Sequence, residues 1–212
     1  MEEILEITLR SIIVSLSATL LSATWSIPIT LFLSRQKTRT ANIIMSFFNS
    51  LVGIPTVIVG LFLYMILSSS GPLGFLRILY TPHAIIIGQS LLITPWIVSL
   101  SYEVFVKARN TYWELALALG ADYFSANMVM LRETLPDLLV ILLIAFSRAV
   151  GELGVALLVG GNIRGYTRVL TTTIALAVSK GEFEFALALG AMLVFVLFMI
   201  ALTIRLIKAY KE

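Results

Sequence analysis

Cysteine is absent from the sequence, histidine occurs once, and charged residues make up only 13% of the 212. Without cysteine there is no disulfide, no thiol nucleophile and no thiolate metal site. With a single histidine, His83, no Ser-His-Asp set, metal cluster or carboxylate pair suggests an intramembrane enzyme. His83 follows Pro82 at the start of an apolar stretch, where a lone imidazole reads as interfacial rather than as a ligand. No G-x-x-x-x-G-K-[ST] phosphate loop occurs, so the chain is expected to bind no nucleotide in that way. The opening residues, MEEILEITLR, lack the basic region of a cleaved signal peptide. These absences argue against an enzyme and against any cofactor held by this chain. The net charge of +3 is small, and no nucleic-acid partner is expected.

Apolar residues fill the space that charge leaves. They make up 59% of the chain, and the mean hydropathy is +1.00. Soluble domains carry about 25% charged residues, so most of this chain is expected to lie in lipid. A crossing needs about 20 apolar residues. Five stretches qualify, at about 11–34, 41–67, 84–106, 135–158 and 185–204, within a single all-α domain covering 1–212. An odd number of crossings puts the termini on opposite sides.

Basic residues orient the chain. Arg35, Lys37, Arg39, Lys107, Arg109, Arg132, Arg205, Lys208 and Lys211 fall on one side of this topology. Arg10, Arg77, Arg164, Arg168 and Lys180 fall on the other. The richer side is read as cytoplasm, with the N-terminus outside and the C-terminus inside.

One phrase is written twice, as ELALALGA at 114–121 and as EFALALGA at 184–191. The topology separates the copies. The second opens the fifth crossing and reads as ordinary membrane helix. The first lies in the cytoplasmic segment 107–134, which is too polar at its ends to cross. Tyr112–Leu119 is rich in Leu and Ala and free of helix breakers. Gly120 suits a helix stop, and Asp122 suits the cap of the next helix. Such a short apolar helix needs a cover. Either Trp113 and Tyr112 anchor it at the headgroups, or a soluble partner supplies a groove.

Other polar residues sit at membrane depth. Arg148 and Glu152 are four apart and share a helix face. They either brace the fourth helix as an internal pair or line a route between two subunits. Ser147, Gly151 and Gly154 lie nearby and permit close packing. Gly53, Ile54 and Pro55 interrupt the second crossing, followed by Thr56 and Gly60. This is a bend that shapes a gate or a packing kink.

Glu114, Ala116 and Gly120 are similar to the E-A-A-x-x-x-G loop of ATP-binding-cassette (ABC) importer permeases at its Glu, second Ala and Gly positions. Leu115 replaces the middle Ala, and Leu135–Pro136 falls three residues later than that family's Leu-Pro ending. The stretches LVGIPTVIVGLFLYMILSSSGPLG (51–74) and FSRAVGELGVALLVGGNIRGYTRVLTTTIALAVSKGEFEFALALGA (146–191) resemble tungstate-type permeases. The resemblance implies the type I importer fold, in a prokaryotic inner membrane. It implies a homodimer of this subunit, two cytoplasmic ATPases that carry ATP and Mg, and an extracytoplasmic binding protein delivering a tetrahedral oxyanion, tungstate or molybdate. Trp113, Glu114, Ala116, Gly120 and Ala121 would then dock the ATPase. Gly53, Pro55, Thr56, Ser147, Arg148 and Glu152 would lie on the translocation route or gate. The loop holding Asn162, Arg164 and Arg168 would face the binding protein, its alternative being a solvated loop.

Overall fold

The computed structural model describes residues 2–36 and 39–211; Lys37, counted above on the basic side, lies outside them. Among the described residues the chain is helical, with no strand. The long helices are α1 (Glu2–Ser34), α4 (Pro82–Ala108), α6 (Tyr123–Val150) and α9 (Phe183–Lys211), and the shorter ones are α2 (Arg39–Leu51), α3 (Thr56–Leu67), α5 (Glu114–Ala118), α7 (Gly154–Gly160) and α8 (Leu170–Lys180).

Three helices are long and apolar enough to cross a membrane by themselves: α1, α4 running on into α5, and α9. The other two crossings are broken. α2 and α3 meet at 97°, and α6 and α7 at 60°, so five crossings result when each bent pair counts as one. α1 has 33 residues, about 50 Å at the helical rise, so it outreaches the hydrocarbon core at its ends.

α1 packs along α4 through small polar residues. Thr8, Ser11, Ser15, Thr19, Ser22, Ser26, Thr30 and Ser34 are all buried, spaced three or four apart on one face. Their size lets the backbones approach, as membrane packing favours. Many of the hydroxyls turn back on their own helix: Ser11 donates to Ile7 O at 2.9 Å and Thr19 to Ser15 O at 2.8 Å. Across the seam, Trp25 Nε1 donates to Thr94 Oγ1 at 2.9 Å, and Ser22 and Thr94 share a 2.9 Å hydrogen bond.

Two apolar cores lie along this spine. Towards the α1 N-terminus, Val14, Leu63, Ile85, Val155 and Val159 join α1, α3, α4 and α7. Towards the other end, Ile97, Phe105, Met130, Leu138 and Ile141 join α4 to α6. α8 was not anticipated from the sequence. It is too short to cross, ends at Gly181 with φ +78°, and packs back against α9, where Leu170, Leu189 and Ile7 form a small cluster.

Candidate functional site

The two broken crossings meet. Pro55 has no N–H to donate and precedes the first turn of α3 in an extended conformation. This starts a new helix instead of continuing α2. On the other side, α6 stops at Gly151 and α7 restarts at Gly154. α3 and α7 cross closely because glycine stands at the crossing. A methyl group at Gly154 would lie 2.7 Å from Thr56 Oγ1 and 3.0 Å from Val57 N, and one at Gly60 would lie 3.1 Å from Val155 Cα. Gly88 of α4 likewise leaves room for the Val155 side chain. Thr56 therefore faces the second break, while Gly53 and Pro55 are exposed on the first.

Arg148 and Glu152 occupy the α6–α7 bend. Arg148 NH1 donates to Glu152 Oε2 at 2.8 Å, with the Glu152 side chain 2% exposed and that of Arg148 33% exposed. The other carboxylate oxygen, Oε1, accepts from Val155 N at 3.2 Å, capping the otherwise orphaned start of α7. The Glu152 carbonyl accepts from Thr171 Oγ1 of α8 at 2.6 Å. Gln89 Nε2 of α4 donates to Ala149 O at 3.0 Å. The bend thus has its freed backbone groups satisfied by side chains from α4 and α8, neither of which sequence reading pointed to. Ser147 is half-buried just before it.

At the far end, α4 passes through one π-helical turn, Arg109–Trp113, into α5. A helical hairpin follows. Gly120, at φ +89°, closes α5: its N–H donates to Leu117 O and that of Ala121 to Ala116 O, each at 3.0 Å, the paired bonds of a glycine-terminated helix. Asp122 then caps α6, accepting from Ser125 N at 3.2 Å. Hydrogen bonds from Ser125 hold the Asp122 carboxyl below its ordinary range.

The structure redistributes the residues assigned to docking. Ala116 is 9% exposed and faces the hairpin. Trp113 is half-buried, with its ring centroid 6.0 Å from that of Tyr123 and 5.2 Å from the Arg109 guanidinium. Trp113 is thus partly covered, and Ala116 almost wholly covered, by the chain's own residues. Glu114 and Gly120 are exposed, and Ala121 is half-buried. The outward apolar surface is instead Leu115, Leu119, Tyr123 and Phe124, the last three exposed at 80%, 71% and 71%. Tyr123 and Phe124 join this set because they open α6 just past the Gly120 turn.

The glycine-rich loop at 160–168 also differs from the expectation. Asn162, at φ +51°, turns inward and donates to Thr172 O at 3.2 Å. Arg168 is only 16% exposed. Arg164 remains at the surface, clasping Glu3 of α1 through Nε at 3.0 Å and NH2 at 2.9 Å. Arg10 seals the loop by donating to Arg168 O and Gly165 O. Of Asn162, Arg164 and Arg168, Arg164 alone is fully exposed and the other two are half-buried.

Broken crossings, a charge pair at depth and a helical hairpin ending in apolar side chains describe a multi-pass membrane protein with irregular helices. The family model of the binding-protein-dependent transport system inner membrane component matches residues 26–210. The chain belongs to this family, the multi-pass inner-membrane permeases of ABC importers, which are transport components and not enzymes. Among particular relatives, it is similar to the tungstate uptake system permease protein TupB of Peptoclostridium acidaminophilum, 37% identical over 198 residues, 93% of this chain and 87% of that one. It is 36% identical over 195 residues to a probable anion ABC transporter permease protein of Haloferax volcanii, covering 90% of this chain and 84% of that one. TupB of Campylobacter jejuni is 37% identical over 144 residues, 68% of this chain and 60% of that one.

Proposed function

We propose that the chain is the permease of an ATP-driven importer that carries a tetrahedral oxyanion, tungstate first, into the cytoplasm by alternating access. The observation that carries the coupling is the tip formed by Leu115, Leu119, Tyr123 and Phe124. It is an apolar surface outside the apolar stretches, and its turn is fixed by Gly120 and Asp122. A separate ATPase would supply the groove, with Glu114 and Gly120 beside the contact and Trp113, Ala116 and Ala121 holding its shape. ATP and Mg belong to that ATPase.

The cargo rests on likeness to two tungstate uptake permeases, with molybdate, of the same shape and charge, as its nearest competitor. Two copies of the chain would form the route. A guanidinium one-third exposed at the α6–α7 bend is costly against lipid, and irregular backbone at depth needs protein or cavity water beside it. A second copy covering Ser147, Arg148 and Gly151 meets both demands and places the gate at the crossed breaks of Thr56 and Glu152. The N-terminus would lie outside, where Arg164 meets a substrate-loaded binding protein.

Reconstitution with the ATPase and the binding protein tests this. Tungstate uptake should require ATP, and Leu119→Asp should abolish ATPase co-purification while leaving the chain folded. ATP-independent tungstate flux would instead identify a passive channel. Calorimetry on the binding protein checks the cargo: tight sulfate binding without tungstate binding would remove tungstate and leave the importer standing.

A further inference from the structure

We infer that Arg109 is a positioning residue that ties the C-terminus of α1 to the cytoplasmic hairpin, so that movement of α5 is delivered to the outer half of the molecule through α1. The inference rests on the docking reading above. Arg109 opens the π-helical turn, and the turn is closed by Glu114 N–H donating to Arg109 O. A π turn inside a helix commonly marks a functional position.

Arg109 reaches across to α1, where NH1 donates to Ser34 O at 3.2 Å and to Arg35 O at 2.5 Å. These are among the last carbonyls of α1, which carry the negative end of its dipole. The guanidinium also lies over Trp113, 5.2 Å from the ring centroid, and Trp113 in turn meets Tyr123 at the start of α6. One cation therefore joins the end of α1, the α4–α5 junction and, through Trp113, the start of α6.

The join is not simple close packing. Leu33 packs against Val98 in a small cluster with Ala41 and Met45. Beyond it a cleft of about 290 Å³, bordered by Ser34, Tyr102, Val106 and Arg109, opens between the end of α1 and the end of α4. Arg109 spans the edge of that cleft. Its planar group does two things at once, bonding to carbonyls and stacking on an aromatic face, and a lysine reproduces only the first. At its other end α1 carries Glu3 and Arg10, which hold the outer loop. A displacement received at Arg109 thus has a continuous helix along which to travel.

The test uses the whole transporter in proteoliposomes with tungstate-loaded binding protein, reading ATPase retention, basal hydrolysis and stimulated hydrolysis. Arg109→Ala should keep the ATPase bound and basal hydrolysis unchanged, while stimulation by the loaded binding protein falls at least about fivefold, the low end of measured couplings between sites. Arg109→Lys should fall between. It also carries the test if the alanine variant does not assemble. Full stimulation in either variant would overturn the inference. So would loss of the ATPase together with stimulation in both, since that marks a purely structural role. Failure of the unaltered chain to retain the ATPase would instead remove the docking reading itself, and this inference with it.

Discussion

A methyl group added at Gly154 would meet Thr56 Oγ1 and the backbone nitrogen of Val57, and backbone cannot swing aside as a flexible side chain can. Gly154→Ala should therefore push α3 from α7 and destabilise the solubilised chain by about 1–3 kcal/mol, the usual cost of overpacking. Gly190→Ala is the control. Nothing lies within 4 Å of its added carbon, so its thermal midpoint should stay level or rise slightly. Glu152 gives a second prediction. Glu152→Gln leaves Arg148 without its anion and weakens the cap on Val155, at about 1–3 kcal/mol for a lost charge-assisted bond. Removing both charges in Arg148→Gln/Glu152→Gln should recover part of that loss, because an uncompensated charge costs more than an absent pair. Equal midpoints for the single and double variants would refute this account. The sequence spacing was enough to expect this pair. The α7 cap, Gln89 and Thr171 were invisible there, since they depend on which helices end up adjacent.

At the scale of the element, the hairpin between α4 and α6 depends on its turn chemistry. Gly120 sits at φ +89° with open space around it, so conformation rather than crowding decides what it accepts. Gly120→Asn should preserve ATPase binding and Gly120→Val should reduce it, because asparagine visits the left-handed region readily and a β-branched residue does not. Asp122 adds a pH dependence. Its carboxyl is held below the ordinary range by Ser125, so the cap's stabilisation is complete above the ordinary carboxylate pKa. It is lost as pH falls through the depressed one. The protection factor of the Ser125 amide, its exchange corrected for the intrinsic rate at each pH, should fall in acid, and Asp122→Ala should lower it at neutral pH as well. The Gly and Asp were legible in the sequence because capping is local. α8 was not: its eleven residues hold three threonines and an apolar run of only five, 174–178, and the helix is secured by Leu170 against α9 and by Thr171 on Glu152, both tertiary.

For the whole molecule, the absence of cysteine makes any introduced thiol the only one. A thiol at position 119 should react with an impermeant reagent only from the cytoplasmic side, and one at 164 only from outside. The reverse pattern would invert the topology read from basic residues. Hydropathy located the apolar stretches because lipid selects for them directly. The helix that holds the fourth stretch extends well before it, since α6 begins at Tyr123 and runs straight through Pro136. Hydropathy placed Asn162 and Arg168 outward because their surroundings come from α1 and α8, and Arg10 is more than 150 residues away in sequence. The serine and threonine seam of α1 has a consequence for how the protein is made. Thr8, Ser11, Thr19 and Thr30 donate to carbonyls four residues back in the same helix, so these hydroxyls need no neighbour to be satisfied in lipid. These hydroxyls therefore put no polar penalty on α1 lying in lipid as a single helix before its neighbours pack against it. α4, synthesised some fifty residues later, then packs against this face of small side chains, with Thr94 bonding to Ser22 and Trp25 across the seam.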